Sequence, residues 1–141
     1  NSIMTKLPFE STRTFWHQDR RYWNFENNDL VSVWLSLGDE YLENGLLEFI
    51  PKSHKITFEK EQFDEVDNFL DSHPKNIELI KTKIHTNLQK GDVVLFHCKT
   101  LHHANKNSSD KPKISFVYTV RANSNKPITN TRSDFKEVIL D

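Results

Sequence analysis

Residues 29–37 read Asp29-Leu30-Val31-Ser32-Val33-Trp34-Leu35-Ser36-Leu37. The alternation places Leu30, Ser32, Trp34 and Ser36 on one side of an extended chain and Val31, Val33, Leu35 and Leu37 on the other. Working outward, three more stretches carry strand patterning. Leu46–Ile50 is short and stopped by Pro51. Asp92–His97 follows the turn residue Gly91, and Ile114–Arg121 alternates again. In that last stretch Lys113 and Ser115 share the face opposite Ile114 and Phe116. Residues 77–85 alternate loosely. One segment carries helical spacing: Phe63, Val66, Phe69 and Leu70 predict a short helical insertion around residues 58–71, capped by Thr57 and ended by His73-Pro74. Many short strands with one helical insertion predict a mainly β domain, a sandwich or barrel.

Composition narrows the function. The chain has 141 residues, 11% aromatic and 28% charged, which fits one packed domain rather than a disordered chain. Lysine and arginine number 19 against 20 acidic residues, a balance that excludes a general nucleic-acid binder. The longest apolar run is Val93–Phe96, far below the roughly 20 residues of a membrane helix. With only three glycines, no Gly-rich phosphate loop can be written. The single cysteine, Cys98, excludes an internal disulfide and a four-cysteine zinc site, and it suits a reducing, cytoplasmic setting.

Seven histidines make metal ligation the first chemical question. His17 and Asp19 form an HxD pair, which on a strand sends both side chains to one face. Alone the pair is a weak signal. The run 91–107, GDVVLFHCKTLHHANKN, adds His97 on a strand and His102 and His103 just after it. Two histidines and one carboxylate are the ligand set of a facial triad, which leaves up to three positions open and suits non-haem Fe(II).

Trp16-His17-Gln18-Asp19, Asn44-Gly45, Ile50-Pro51-Lys52-Ser53-His54 and Gly91-Asp92…Phe96-His97…His102…Asn107 together resemble the phytanoyl-CoA dioxygenase-like family of Fe(II)- and 2-oxoglutarate-dependent oxygenases. The resemblance runs from about Thr14 to Arg121. It implies a double-stranded β-helix, a jelly-roll barrel with iron at its mouth, as a single domain over residues 1–141. Members normally carry a helical and strand region before the HxD, where this sequence has 16 residues. The resemblance implies His17, Asp19 and His102 as ligands, with His103 the competitor and His97 a packed residue.

For the co-substrate it implies that Lys113 holds the C5 carboxylate of 2-oxoglutarate, with Ser115 and Trp34 lining the pocket. Lys111 is the alternative cation, and Arg121 lies too far along the strand. Lysine stands where many members have arginine, and Ala104 stands where many have serine. Arg20, Tyr22 and Trp23 are expected to roof a small-molecule substrate. With Asp19 present, oxygen insertion is implied rather than halogenation: a hydroxylase that consumes O2 and 2-oxoglutarate and releases succinate and CO2. The alternative is a barrel that binds a metal or metabolite without turnover, which Lys113, Ala104 and the short region before His17 favour. A zinc hydrolase on the same ligands is disfavoured because no carboxylate is marked out as its base.

Overall fold

The computed structural model describes residues 1–140. Eight strands run in the order β1 (Ser2–Lys6), β2 (Thr14–His17), β3 (Leu30–Ser36), β4 (Leu47–Phe49), β5 (Ile84–His85), β6 (Val93–His97), β7 (His102–Ala104) and β8 (Lys113–Arg121), with one α-helix, α1 (Pro74–Ile80). They form two antiparallel four-stranded sheets, ordered β1-β8-β3-β6 and β2-β7-β4-β5. Trp34 and Phe96 from the first pack against Leu47, Phe49 and Ala104 from the second, so the sheets lie face to face around one core. This is the expected jelly-roll. Among the described residues no helix is long and apolar enough to cross a membrane.

The alternation of residues 29–37 is borne out, with an unusual filling. The inward side of β3 carries Leu30, Ser32, Trp34 and Ser36, all buried. On β8 the inward residues are Lys113 and Ser115, at 2% and 0% exposure, while Ile114 faces out. Polar groups thus point into the barrel, which is the mark of a site rather than of a plain core.

The helical insertion falls in a different place. Within 58–71 there is only a 3₁₀ turn, Lys60–Gln62, and the α-helix starts at Pro74. Proline at the first helical position is a start signal, because its missing N–H has no partner to lose there; the sequence reading took it as a stop. Phe63 and Phe69, spaced for one helix face, are instead bridged to each other in extended chain. With Phe58 they pack on Trp16, Ile50 and Leu101 and cover the outer face of the second sheet. Phe69 is buried and Phe63 and Leu70 half-buried, whereas Val66 is exposed; tertiary packing overrode the helical spacing of the four.

Gly45 has a structural reason. Its φ is +78°, and a Cβ there would lie 2.3 Å from the Asn105 carbonyl oxygen. Asn44, beside it, is buried and donates to the Asp39 carbonyl at 2.8 Å, so the Asn44-Gly45 corner ties the loop before β4 to its neighbours.

Candidate metal centre

His17 ends β2 and His102 begins β7, and the two are direct cross-strand partners. Their rings lie 4.3 Å apart, centroid to centroid. Asp19 is not on the strand: it opens a 3₁₀ turn, Asp19–Tyr22. Gln18 between them is extended, so the HxD pair still converges. Asp19 Oδ1 is 3.5 Å from His17 Nε2 and 3.5 Å from His102 Nε2. One atom from each of the three residues fits within 4.8 Å of the others.

The surroundings orient each candidate ligand atom. His17 Nδ1 lies 2.8 Å from the Phe15 carbonyl and His102 Nδ1 3.0 Å from the Thr100 carbonyl. Both rings therefore donate through Nδ1 and turn an Nε2 lone pair toward Asp19. Ser32 Oγ donates to Asp19 Oδ2 at 2.5 Å. Burial works to raise the Asp19 pKa, but the neighbouring His102 and His17 and the hydrogen bond from Ser32 outweigh it and hold the carboxyl at about 2. Burial pushes His102 down to about 4, against the pull of Asp19. Near neutral pH His102 is therefore a neutral imidazole and Asp19 a carboxylate, the protonation states a divalent ion requires of such groups.

The other histidines stand apart. His103, one residue on, points through the opposite face of β7. It pairs with the buried Glu48 and packs against Trp16, ring centroids 4.1 Å apart and tilted by 37°. His97 stacks on His54 at 5.4 Å.

A cavity of about 810 Å³ opens onto the triad, within the size range of small-molecule sites. Tyr22, Trp23, Trp34 and Lys113 line it. Arg20 does not: it lines a separate cavity and donates to Gln18 Oε1 at 2.8 Å. Lys111 is exposed, which leaves Lys113 as the buried cation of the pair. Lys113 Nζ sits 5.0 Å above the Trp34 ring.

Three residues of this region carried no readable signal. Arg132, from the chain after β8, lines the cavity and lies over Tyr22. Lys6 lines it from β1. Glu40, just past β3, is 1% exposed and reaches under Lys113. Each is placed by contacts far apart along the chain, and no local periodicity marks any of them.

The sequence profile of the phytanoyl-CoA dioxygenase (PhyH) family matches residues 1–115. The chain belongs to this family. It is 31% identical over 94 residues to phytanoyl-CoA dioxygenase 1 of Oryza sativa subsp. japonica, covering 66% of this chain and 33% of that protein. Against the human protein described as phytanoyl-CoA dioxygenase, peroxisomal, identity is 28% over 97 residues, covering 66% of this chain and 29% of that one. The chain thus spans about a third of the length of the curated relatives it matches. Among solved structures, the epimerase SnoN in complex with Fe3+, alpha ketoglutarate and nogalamycin RO superimposes with a TM-score of 0.71 at 26% identity, over 83% of this chain and 46% of that one. The carbocyclase SnoK from nogalamycin biosynthesis gives 0.65 at 23%, a likeness of fold.

Proposed function

We propose that the protein is a non-haem Fe(II)- and 2-oxoglutarate-dependent oxygenase that hydroxylates a small molecule and releases succinate and CO2. The observation that carries this reading is the convergence of His17, Asp19 and His102 on one point at the floor of a cavity. The donor set fits iron: two imidazole nitrogens and one carboxylate oxygen, with room for a bidentate 2-oxo acid and dioxygen. Bound there, iron and the 2-oxo acid would supply the oxidising chemistry.

The chain's own part is to bind, orient and exclude water. Phe15, Thr100 and Ser32 hold the ligand atoms in place. Tyr22, Trp23 and Arg132 stand at the cavity wall where a substrate would be positioned. No general acid or base is needed, since no side chain has to carry a proton between reacting groups. SnoN, an epimerase of similar fold, widens the candidate reactions from hydroxylation to epimerisation. The buried Cys98 thiol, raised to about 11 by burial, is inert and suits a reducing compartment.

The test is an anaerobic titration of Fe(II) and 2-oxoglutarate, followed by exposure to air. A weak visible charge-transfer band, then succinate, is the expected result. A band with no succinate in the presence of any substrate supports the second reading, a binding protein without turnover, which the buried Lys113–Glu40 pair favours. Absence of any band overturns the oxygenase reading.

A further inference from the structure

The pocket expected to hold the distal carboxylate of the co-substrate is already filled by a carboxylate of the protein. Glu40 Oε1 accepts hydrogen bonds from Trp34 Nε1 at 2.8 Å and from Ser115 Oγ at 2.6 Å, and Oε2 lies 3.2 Å from Lys113 Nζ. All three groups assigned to the co-substrate therefore point at Glu40. A second carboxylate placed beside this pair would be a buried negative charge without a counter-ion, which is strongly unfavourable.

We infer that Lys6 and Thr14, on the two N-terminal strands, bind the distal carboxylate of a 2-oxo diacid, a role that rests on the oxygenase reading above. Lys6 is the cross-strand partner of Lys113, so both side chains leave the same face of the sheet and enter the same cavity. Glu40 balances Lys113, which leaves the Lys6 ammonium at this end of the cavity as the charge that one carboxylate would neutralise. Thr14 is the cross-strand partner of Ala104, the position two residues after the distal histidine where no hydroxyl is present. A bulge in β2 between Thr14 and His17 brings residues three apart to the same side, so the Thr14 hydroxyl and the His17 imidazole both line the cavity. Lys6 Nζ is 3.4 Å from Thr14 Oγ1 and donates to the Thr12 carbonyl at 2.8 Å, joining the edges of the two sheets. Asn107, fully buried, donates to the Lys6 carbonyl at 2.8 Å and holds that end of β1.

The Lys6 ammonium is also poised for an anion. Burial, with the charge of Lys113 behind it, lowers its pKa to about 8. A carboxylate against the Lys6 ammonium would offset both effects by favouring its charged form.

The test is calorimetric and needs no turnover. The Mn(II)-loaded protein, without oxygen, is titrated with 2-oxoglutarate and with 2-oxobutyrate, which chelates alike but lacks the distal carboxylate. Wild type is expected to prefer 2-oxoglutarate. Lys6→Met should weaken 2-oxoglutarate about tenfold or more, the worth of a charge-assisted hydrogen bond, while 2-oxobutyrate stays within about twofold. Thr14→Val should act in the same direction by a smaller factor. Retained 2-oxobutyrate affinity shows that the variants are folded and the metal is in place. Unchanged 2-oxoglutarate affinity in Lys6→Met overturns the inference, as does equal loss for the two ligands. Equal affinity of both ligands for wild type overturns it while leaving chelation standing. Binding of neither overturns it together with the oxygenase reading.

Discussion

Glu40 lies 3.2 Å from Lys113 with both side chains buried, a pair formed between residues 73 apart in the chain. It turns the predicted co-substrate cation into half of an internal ion pair. Burial lowers the Lys113 pKa while Glu40 pulls it back up.

The pair should behave as a unit. Glu40→Gln leaves a buried ammonium without its counter-charge and is expected to cost about 3 kcal/mol of stability. Lys113→Met should cost a similar amount, and the double variant clearly less than the sum. Urea unfolding of all four proteins measures the coupling. Strict additivity would show that the two groups do not interact.

Ser32 should matter to metal affinity although it lies outside the triad. Its hydroxyl holds Asp19 Oδ2. Ser32→Ala is expected to weaken Fe(II) or Mn(II) binding roughly tenfold, in the range seen for groups that orient a ligand. Asp19→Ala should abolish tight binding. A metal titration that finds Ser32→Ala equal to wild type would remove Ser32 from the site.

The metal-free protein should lose stability on mild acidification. His102 takes up its proton only near pH 4, whereas an unfolded histidine does so near 6.5. Between those values the unfolded chain binds more protons, so stability falls as pH falls, by at most ~1.4 kcal/mol per pH unit for this one group. Asp19, held at about 2 against an ordinary 3.8, adds a second loss between pH 3.8 and 2. Thermal melts from pH 7 to 4 should show the first slope, and His102→Gln should flatten it. An unchanged slope in that variant would assign the effect elsewhere.

Gly45→Ala should be destabilising by more than ~1 kcal/mol, since the residue has positive φ and the new methyl group meets the Asn105 carbonyl. Gly38→Ala, with open space around it, is the control. Denaturant midpoints of the two variants give the comparison, and equal midpoints would count against strain at Gly45.

The sequence by itself determined the β architecture, and the family resemblance it carries named His17, Asp19 and His102 as candidate ligands while leaving Lys113 and Lys111 as alternatives. Strand alternation fixes which residues share a face, and the HxD and FH…H…N segments carry the resemblance that points to the candidate ligands. The alternation also put Ser32 on the face of Trp34, and the structure extends this to its contact with Asp19. Only the tertiary structure decided what fills the space those faces enclose. It brought Glu40 beneath Lys113, set Thr14 opposite Ala104 through a bulge, sent His103 to Glu48 and turned Arg20 away from the cavity. It also wrapped Phe58, Phe63 and Phe69 over the outer sheet where helical spacing had suggested a helix. Periodicity is a local property of one strand or helix. The partner of a buried charge is set by the closure of two sheets from distant segments, and no short stretch of sequence carries that information.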